Sequence, residues 1–317
     1  MTAFWGTKKT VIIAGSGRSG TTWVQDSIAS ANNLQTIFEP LHPIGVTAAR
    51  GFANKYYPVG VENSDLESFM RQVLSGTYRS LWMNYRIRPD RFNIFRVGVS
   101  QAVYNVRKFA QHYRKYQVKG QDGLAVKFIR ANLMLPWLVH QYDVRALFVV
   151  RHPCAVIASR LKLGGKDWVS SLELDRYRSD HGVSRLILDE FGIDIAESFS
   201  PIAALACVWC IENLLPVQWA KDAGYRVTAY ERLLSEPEQE WKHVIGELGL
   251  SHVPDNALRE TPSQQVSAEM RGRTFSGSHL GKWRQTLTAD QLNEIASVLG
   301  RFSCSIYSVD EDCAIEV

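Results

Sequence analysis

A short β-branched run at residues 10–14 ends in Gly15-Ser16-Gly17-Arg18-Ser19-Gly20-Thr21-Thr22, and helix-forming residues follow directly. Five residues of this kind are too few for a helix and read as a strand. Three glycines within six residues then allow a turn tight enough for backbone amides to converge. The stretch Thr21–Ala31 has helical composition and stops at Asn32 and Asn33. A strand that hands over to a helix through such a loop aims several N–H groups and a helix N-terminus at one point. An anion is the expected guest, and phosphate the obvious one.

Three ligand chemistries compete for this loop. Gly15 and Gly20 meet the spacing of a nucleoside-triphosphate loop, but Thr21 stands where that loop carries the lysine that reaches the β- and γ-phosphates. Gly15, Gly17 and Gly20 also form a dinucleotide fingerprint, with Glu39 at the right distance to hold a ribose, which would make the chain an NAD- or FAD-dependent oxidoreductase. Against that reading, Arg18 puts a cation inside the turn, and Pro40-Leu41-His42-Pro43 is an unusual sequel to a ribose-binding strand. In the third chemistry Arg18 clamps a phosphate ester that becomes a leaving group. A non-catalytic nucleotide-binding module would need the anion contacts alone.

The remaining chain alternates. Residues 36–38, 124–128, Arg145–Val150 and 225–230 read as strands; residues 132–141, a stretch opened by His152-Pro153, and residues 201–220, 238–248 and 289–299 read as helices. This order predicts an α/β fold with a parallel central sheet flanked by helices. With 317 residues, 45% hydrophobic and 21% charged, the chain can bury a large core and is not disordered. No linker or repeat divides it, so one domain over 1–317 is expected. The first ten residues are too short for a signal peptide, and no apolar run approaches the roughly 20 residues of a membrane helix. Five cysteines without a paired pattern fit a reducing compartment, so a cytoplasmic protein with no membrane partner is expected. Cys207-Val208-Trp209-Cys210 lies in an apolar helical run, where packing is expected rather than zinc or redox chemistry. The net charge of +4 is too small to mark a nucleic-acid binder.

A second anion site follows the apolar run at residues 146–150. Such a strand delivers Arg151 to its C-terminal end, where open α/β sheets bind ligands. Ser159 lies about two helical turns further on, so Arg151 and Ser159 could grip one phosphate. The two sites together suggest a ligand with phosphates at two positions.

These motifs resemble the sulfotransferases that use 3′-phosphoadenosine 5′-phosphosulfate (PAPS). Residues 15–23, ending in Trp23, are similar to the family's 5′-phosphosulfate loop. Val150-Arg151-His152-Pro153 with Val156, Ser159 and Arg160 is similar to its 3′-phosphate motif. Phe38-Glu39-Pro40-Leu41-His42 resembles the Glu-Pro-Leu segment of the carbohydrate branch. Lys127-Phe128-Ile129-Arg130, Tyr230-Glu231-Arg232-Leu233 and Gly281-Lys282-Trp283-Arg284 match further segments. The resemblance implies a single P-loop-like domain with acceptor-binding insertions at about 45–122 and 165–200. It also implies PAPS as co-substrate and 3′-phosphoadenosine 5′-phosphate (PAP) as product, with no metal required. The acceptor would be a glycan or small molecule with a hydroxyl or amine, and no nucleic acid would be a partner.

Residue roles follow from the same likeness. Gly17, Ser19, Gly20, Thr21 and Thr22 would hold the 5′-phosphate, with Arg18 meeting the charge of the leaving group. Arg151 and Ser159 would hold the 3′-phosphate, Trp23 and Tyr230 would contact the adenine, and Arg271, Gly272, Arg273 and Ser276 would close over the donor. Glu39, just past the second strand, is the expected general base and His42 its alternative. Many members of the family carry lysine where Arg18 stands.

Between Arg79 and Lys119 lie ten basic residues and one acid, Asp90, interleaved with aromatics such as Trp82, Tyr85 and Tyr113. That block reads as a solvated face, or as a surface that steers an anionic donor or recognises a ring-bearing acceptor. Residues 167–197 mix both signs of charge and read as a solvated helical insertion or a lid over the acceptor.

Overall fold

A computed structural model describes residues 9–87, 103–104, 106–107, 109–111, 113–114, 122–163, 170–255 and 277–314. Five strands, β1 (Lys9–Ala14), β2 (Leu34–Phe38), β3 (Gly123–Phe128), β4 (Arg145–Val150) and β5 (Arg226–Ala229), form one parallel sheet in the order β2-β3-β1-β4-β5. The strands alternate with helices, so each pairing is a crossover and both sheet faces are covered. The helices are α1 (Thr21–Ala31), α2 (Ser64–Leu74), α3 (Leu81–Tyr85), α4 (Leu135–Tyr142), α5 (Pro153–Lys162) and α6 (Ser170–Arg178). They continue with α7 (His181–Phe191), α8 (Pro201–Ala223), α9 (Tyr230–Ser235), α10 (Pro237–Glu247) and α11 (Ala289–Arg301).

The period of two along each strand divides the core. Val11 and Ile13 of β1, with Leu147 and Val149 of β4, face Val24 and Ile28 of α1 and Trp241, Val244 and Ile245 of α10. Ile12 and Ala14, with Phe148 and Val150, face the larger cluster that includes α2, α4, α5, α8 and α11. Every residue of β3 is buried, as expected of a central strand in a parallel sheet.

Several expected boundaries move for local reasons. The segment 132–141 divides into a 3₁₀ turn, Asn132–Met134, and α4, which starts with a proline in its first turn. Tyr230 closes no strand and instead opens α9. The segment 167–197 is not merely a solvated insertion, because Leu174 and Tyr177 of α6 and Val183 and Ile187 of α7 enter the main core.

Helix α8 corrects the expectation about apolar runs. Its 23 residues are long and apolar enough to cross a bilayer by length and composition, yet 78% of its most apolar window is buried inside the protein. Cys207 and Cys210 lie buried within it, and burial pushes the Cys207 thiol up to about 12. Among the described residues no three His, Cys, Asp or Glu side chains are placed to hold a metal ion.

Candidate functional site

The parallel strands bring all five C-terminal ends to one edge of the sheet. There β1 runs into the loop at residues 15–20, β2 into Glu39, β3 into Lys127 and Arg130, β4 into Arg151 and β5 into Tyr230. The chain leaves β1 for β2 on one side, while β4 lies on the other, so the crevice of a topological switch point opens at the glycine-rich loop.

Close approaches explain the two outer glycines. A Cβ on Gly15 would lie 2.4 Å from the Val149 carbonyl oxygen, and one on Gly20 would lie 2.4 Å from the Tyr230 ring. Ser19 Oγ donates to the Ser16 carbonyl at 2.6 Å and closes the loop. Gly20, at φ 85°, is the N-cap of α1 and supplies no side-chain cap, which leaves the helix N-terminus open to an anion. Arg18 itself sits at φ 77°, a left-handed conformation costly for a side-chain-bearing residue and typical of functional turns.

The two anion motifs meet here. Arg18 Nε donates to Ser159 Oγ at 2.9 Å, Arg151 Nη1 to the Arg18 carbonyl at 3.3 Å, and Arg160 Nη2 to the Gly17 carbonyl at 3.3 Å. The sequence pairs Ser159 with Arg151, whereas the structure seats its hydroxyl on Arg18. Burial, then the neighbouring charges of Arg151 and Arg160, lower the Arg18 pKa to about 10. Among the described residues Arg151 Nε and Ser16 Oγ are buried with no hydrogen-bond partner. Three crowded guanidinium groups and two orphaned polar atoms suit a ligand carrying several negative charges. Beside them the Arg151 guanidinium lies 4.2 Å from the Tyr230 ring centroid. Trp23 meets Tyr230 and Trp241 edge-on at 5.7 and 5.5 Å, and Trp241, on the buried face of α10, was invisible as a site neighbour in the sequence.

Contacts from distant segments fix the Arg151 corner. Trp209 Nε1 donates to the Arg151 carbonyl at 3.0 Å, and the His152 N–H donates to Glu231 Oε1 at 3.1 Å. His152 Nδ1 accepts the Cys154 N–H at 3.1 Å and so caps α5, while Nε2 bonds the Ser308 carbonyl at 2.9 Å. Trp283 stacks on the same imidazole at 4.7 Å, and Tyr307 donates to Glu231 Oε2 at 2.7 Å. Burial lowers the His152 pKa to about 4.

Glu39 also sits in the left-handed region, at φ 42°. Its carboxylate accepts from Lys127 Nζ at 2.8 Å and Arg130 Nη1 at 3.4 Å. Burial favours the neutral acid, but Lys127 and Arg130 together outweigh it and hold the carboxyl below the usual range. Lys127 Nζ donates as well to Thr22 Oγ1 at 2.8 Å, tying Glu39 to the glycine-rich loop. The sequence signal for Lys127 was a lone cation inside an otherwise apolar strand, here 2% exposed. His42 Nδ1 accepts the Gly45 N–H at 3.0 Å, so the neutral ring carries its proton on Nε2, and the ring packs 4.3 Å from Trp82.

Arg86 departs from the expected solvated or steering block. It is buried, pairs with Asp26, donates to Gln25 Oε1 at 3.2 Å and lies 4.7 Å over the Phe38 ring, because the end of α3 packs against α1 and β2. Arg271, Gly272, Arg273 and Ser276 lie outside the described residues, as do Arg88, Arg91, Arg96, Lys108, Lys115 and Lys119.

No protein-family model matches the chain, and no curated protein matches it. Among solved structures the chain is similar to the sulfotransferase domain from the curacin biosynthetic pathway, at 14% identity and TM-score 0.44, covering 93% of this chain and 98% of that one. It is similar also to the sulfotransferase domain of the Synechococcus PCC 7002 olefin synthase, at 18% identity and TM-score 0.44, covering 94% and 98%. A mouse sulfotransferase complexed with PAP aligns at 12% identity and TM-score 0.41, covering 94% and 86%.

Proposed function

We propose that the protein is a sulfotransferase that moves a sulfuryl group from PAPS to a hydroxyl or amine of a carbohydrate or small-molecule acceptor by in-line displacement. The observation that carries this reading is the junction of the two anion motifs: Arg18 of the glycine-rich loop bonded to Ser159, with Arg151 on the Arg18 carbonyl. When bound, PAPS supplies an activated sulfuryl group on a phosphate leaving group. The loop amides, Thr21, Thr22 and the N-terminus of α1 hold the 5′-phosphate, and Arg18 meets the negative charge that grows there in a loose transition state. Arg151 holds the 3′-phosphate, and the half-buried Trp23 offers an aromatic face to the base, with the buried Tyr230 packed edge-on behind it. Lys127 and Arg130 keep the Glu39 carboxylate ionised and therefore able to take the acceptor's proton. His42 is the less suited candidate because its Nδ1 lone pair is already committed to Gly45.

The dinucleotide alternative suits the geometry less well. In that fold the second strand adjoins the first, which brings its terminal acid beside the loop. Here β3 lies between β1 and β2, and Glu39 is engaged by Lys127 and Arg130. Calorimetry with PAP and with NAD separates the two: binding of PAP supports the proposal, and tight binding of NAD without PAP overturns it. A screen of glycans, alcohols and amines with labelled PAPS then tests transfer, and PAP binding without any transfer favours a non-catalytic module.

A further inference from the structure

Resting on that reading of the donor loop, we propose that Tyr177 is a positioning residue that couples the loop to helix α6 on the acceptor side through Glu212 and Arg160. Ser159 and Arg160 are neighbours on α5, so their side chains diverge by about 100°. Ser159 meets Arg18, while Arg160 runs inward, 1% exposed, and links the loop to α8. Its Nη2 donates to the Gly17 carbonyl at 3.3 Å and to Glu212 Oε2 at 2.8 Å. The other carboxylate oxygen of Glu212 accepts from the Tyr177 hydroxyl at 3.1 Å. Burial, followed by the charge of Glu212, keeps the Tyr177 phenol protonated and therefore a donor.

The link is anchored in the middle. Pro216 has no N–H to offer the Glu212 carbonyl four residues earlier in α8, and Asn132 Nδ2 bonds that carbonyl instead at 2.9 Å. Glu212 therefore sits at a defined irregularity of a long helix, held from a second direction. A buried ion pair is a poor way to gain stability, since apolar residues of similar size do as well. Its use between the donor loop and α6 points to position. Glu173, one turn before Tyr177 and buried, pairs with Arg176 and also lies within electrostatic reach of Arg160 and Glu212. Helix α6 thus directs an acid and a phenol toward buried Arg160, which donates to the Gly17 carbonyl. An anion on the loop competes with Glu212 for Arg160, and the change reaches α6 through the Tyr177 hydroxyl. By reciprocity, ordering α6 on an acceptor favours the donor-bound loop.

Amide hydrogen exchange with PAP as the probe tests this without knowledge of the acceptor. The expected result is that PAP slows exchange both at residues 20–24 and across α6. Tyr177→Phe should keep the first effect and lose about tenfold of the second, the scale of one buried hydrogen bond. Tyr142→Phe is the control, because it removes another core hydroxyl, which donates to the Glu67 carbonyl at 3.0 Å, far from this link. It should lower Tm comparably and leave both effects intact. If Tyr177→Phe behaves like Tyr142→Phe, or if PAP protects the loop and not α6 in the wild type, the coupling is overturned while the donor reading stands. Protection at neither segment overturns both.

Discussion

Arg18 and Glu39, proposed for the leaving group and for the acceptor's proton, both hold left-handed backbone conformations that cost about 1 kcal/mol or more outside glycine. The fold tolerates this because neighbours over-determine each residue: Ser159 and Arg151 at Arg18, and Lys127, Arg130 and Trp82 at Glu39. Glu39→Gln removes the proposed proton acceptor and keeps its size, so turnover should fall by about 10²–10⁴-fold while PAP affinity, measured by calorimetry, changes little. A variant that turns over at near the wild-type rate would remove Glu39 from the mechanism. His152 gives the pH prediction. Its pKa falls from 6.5 to about 4 on folding, so between these values the unfolded chain binds a proton that the folded chain does not. Stability therefore rises with pH through that window, is fully present above about 6.5, and loses about 3 kcal/mol on going down to pH 4. Urea midpoints at pH 7 and 4.5 should separate the wild type from His152→Asn, which keeps a capping acceptor and drops this component of the pH dependence.

At the scale of elements, the loop between β1 and α1 was legible because its demands are local. Glycine spacing, a β-branched run before it and helix-forming residues after it fix strand, turn and helix without reference to the rest of the chain. Gly20 shows where local reading stops. The sequence marks it as a turn residue, but only the fold places the Tyr230 ring where its Cβ would be. Gly20→Ala should cost at least about 2 kcal/mol, from the left-handed backbone and the clash, and should abolish PAP binding. Gly300→Ala, in α11 with no atom of the described residues within 4 Å of the added methyl, should instead leave Tm unchanged or raise it. Thermal melts with and without PAP check both. The 3₁₀ turn ahead of α4 and the early end of β5 escaped sequence reading for a related reason: apolar periodicity does not say which hydrogen-bond pattern a short buried segment adopts.

Across the whole molecule, charge is where sequence and structure part most. Arg86 belongs to the densest basic block of the chain, yet it is buried against Asp26, sixty positions away in sequence. Arg86→Met should lower stability by about 2 kcal/mol, below the usual figure for a broken buried pair because Asp26 is partly exposed. It should leave the salt dependence of kcat/KM unchanged, and a shallower salt slope would restore Arg86 to a steering role. The same contrast holds for Lys127 on Glu39, for Arg160 and Tyr177 on Glu212, and for His152 under Trp283. Sequence alone was enough for an α/β fold, a glycine-rich strand-loop-helix junction at residue 15 and a second cationic strand end at residue 151. Backbone geometry and hydrophobic period follow from neighbouring residues, and parallel strands must present their C-terminal ends together. Tertiary structure alone decided which charges are buried and with whom they pair, because desolvation and partner choice depend on side chains delivered by elements far apart in the chain.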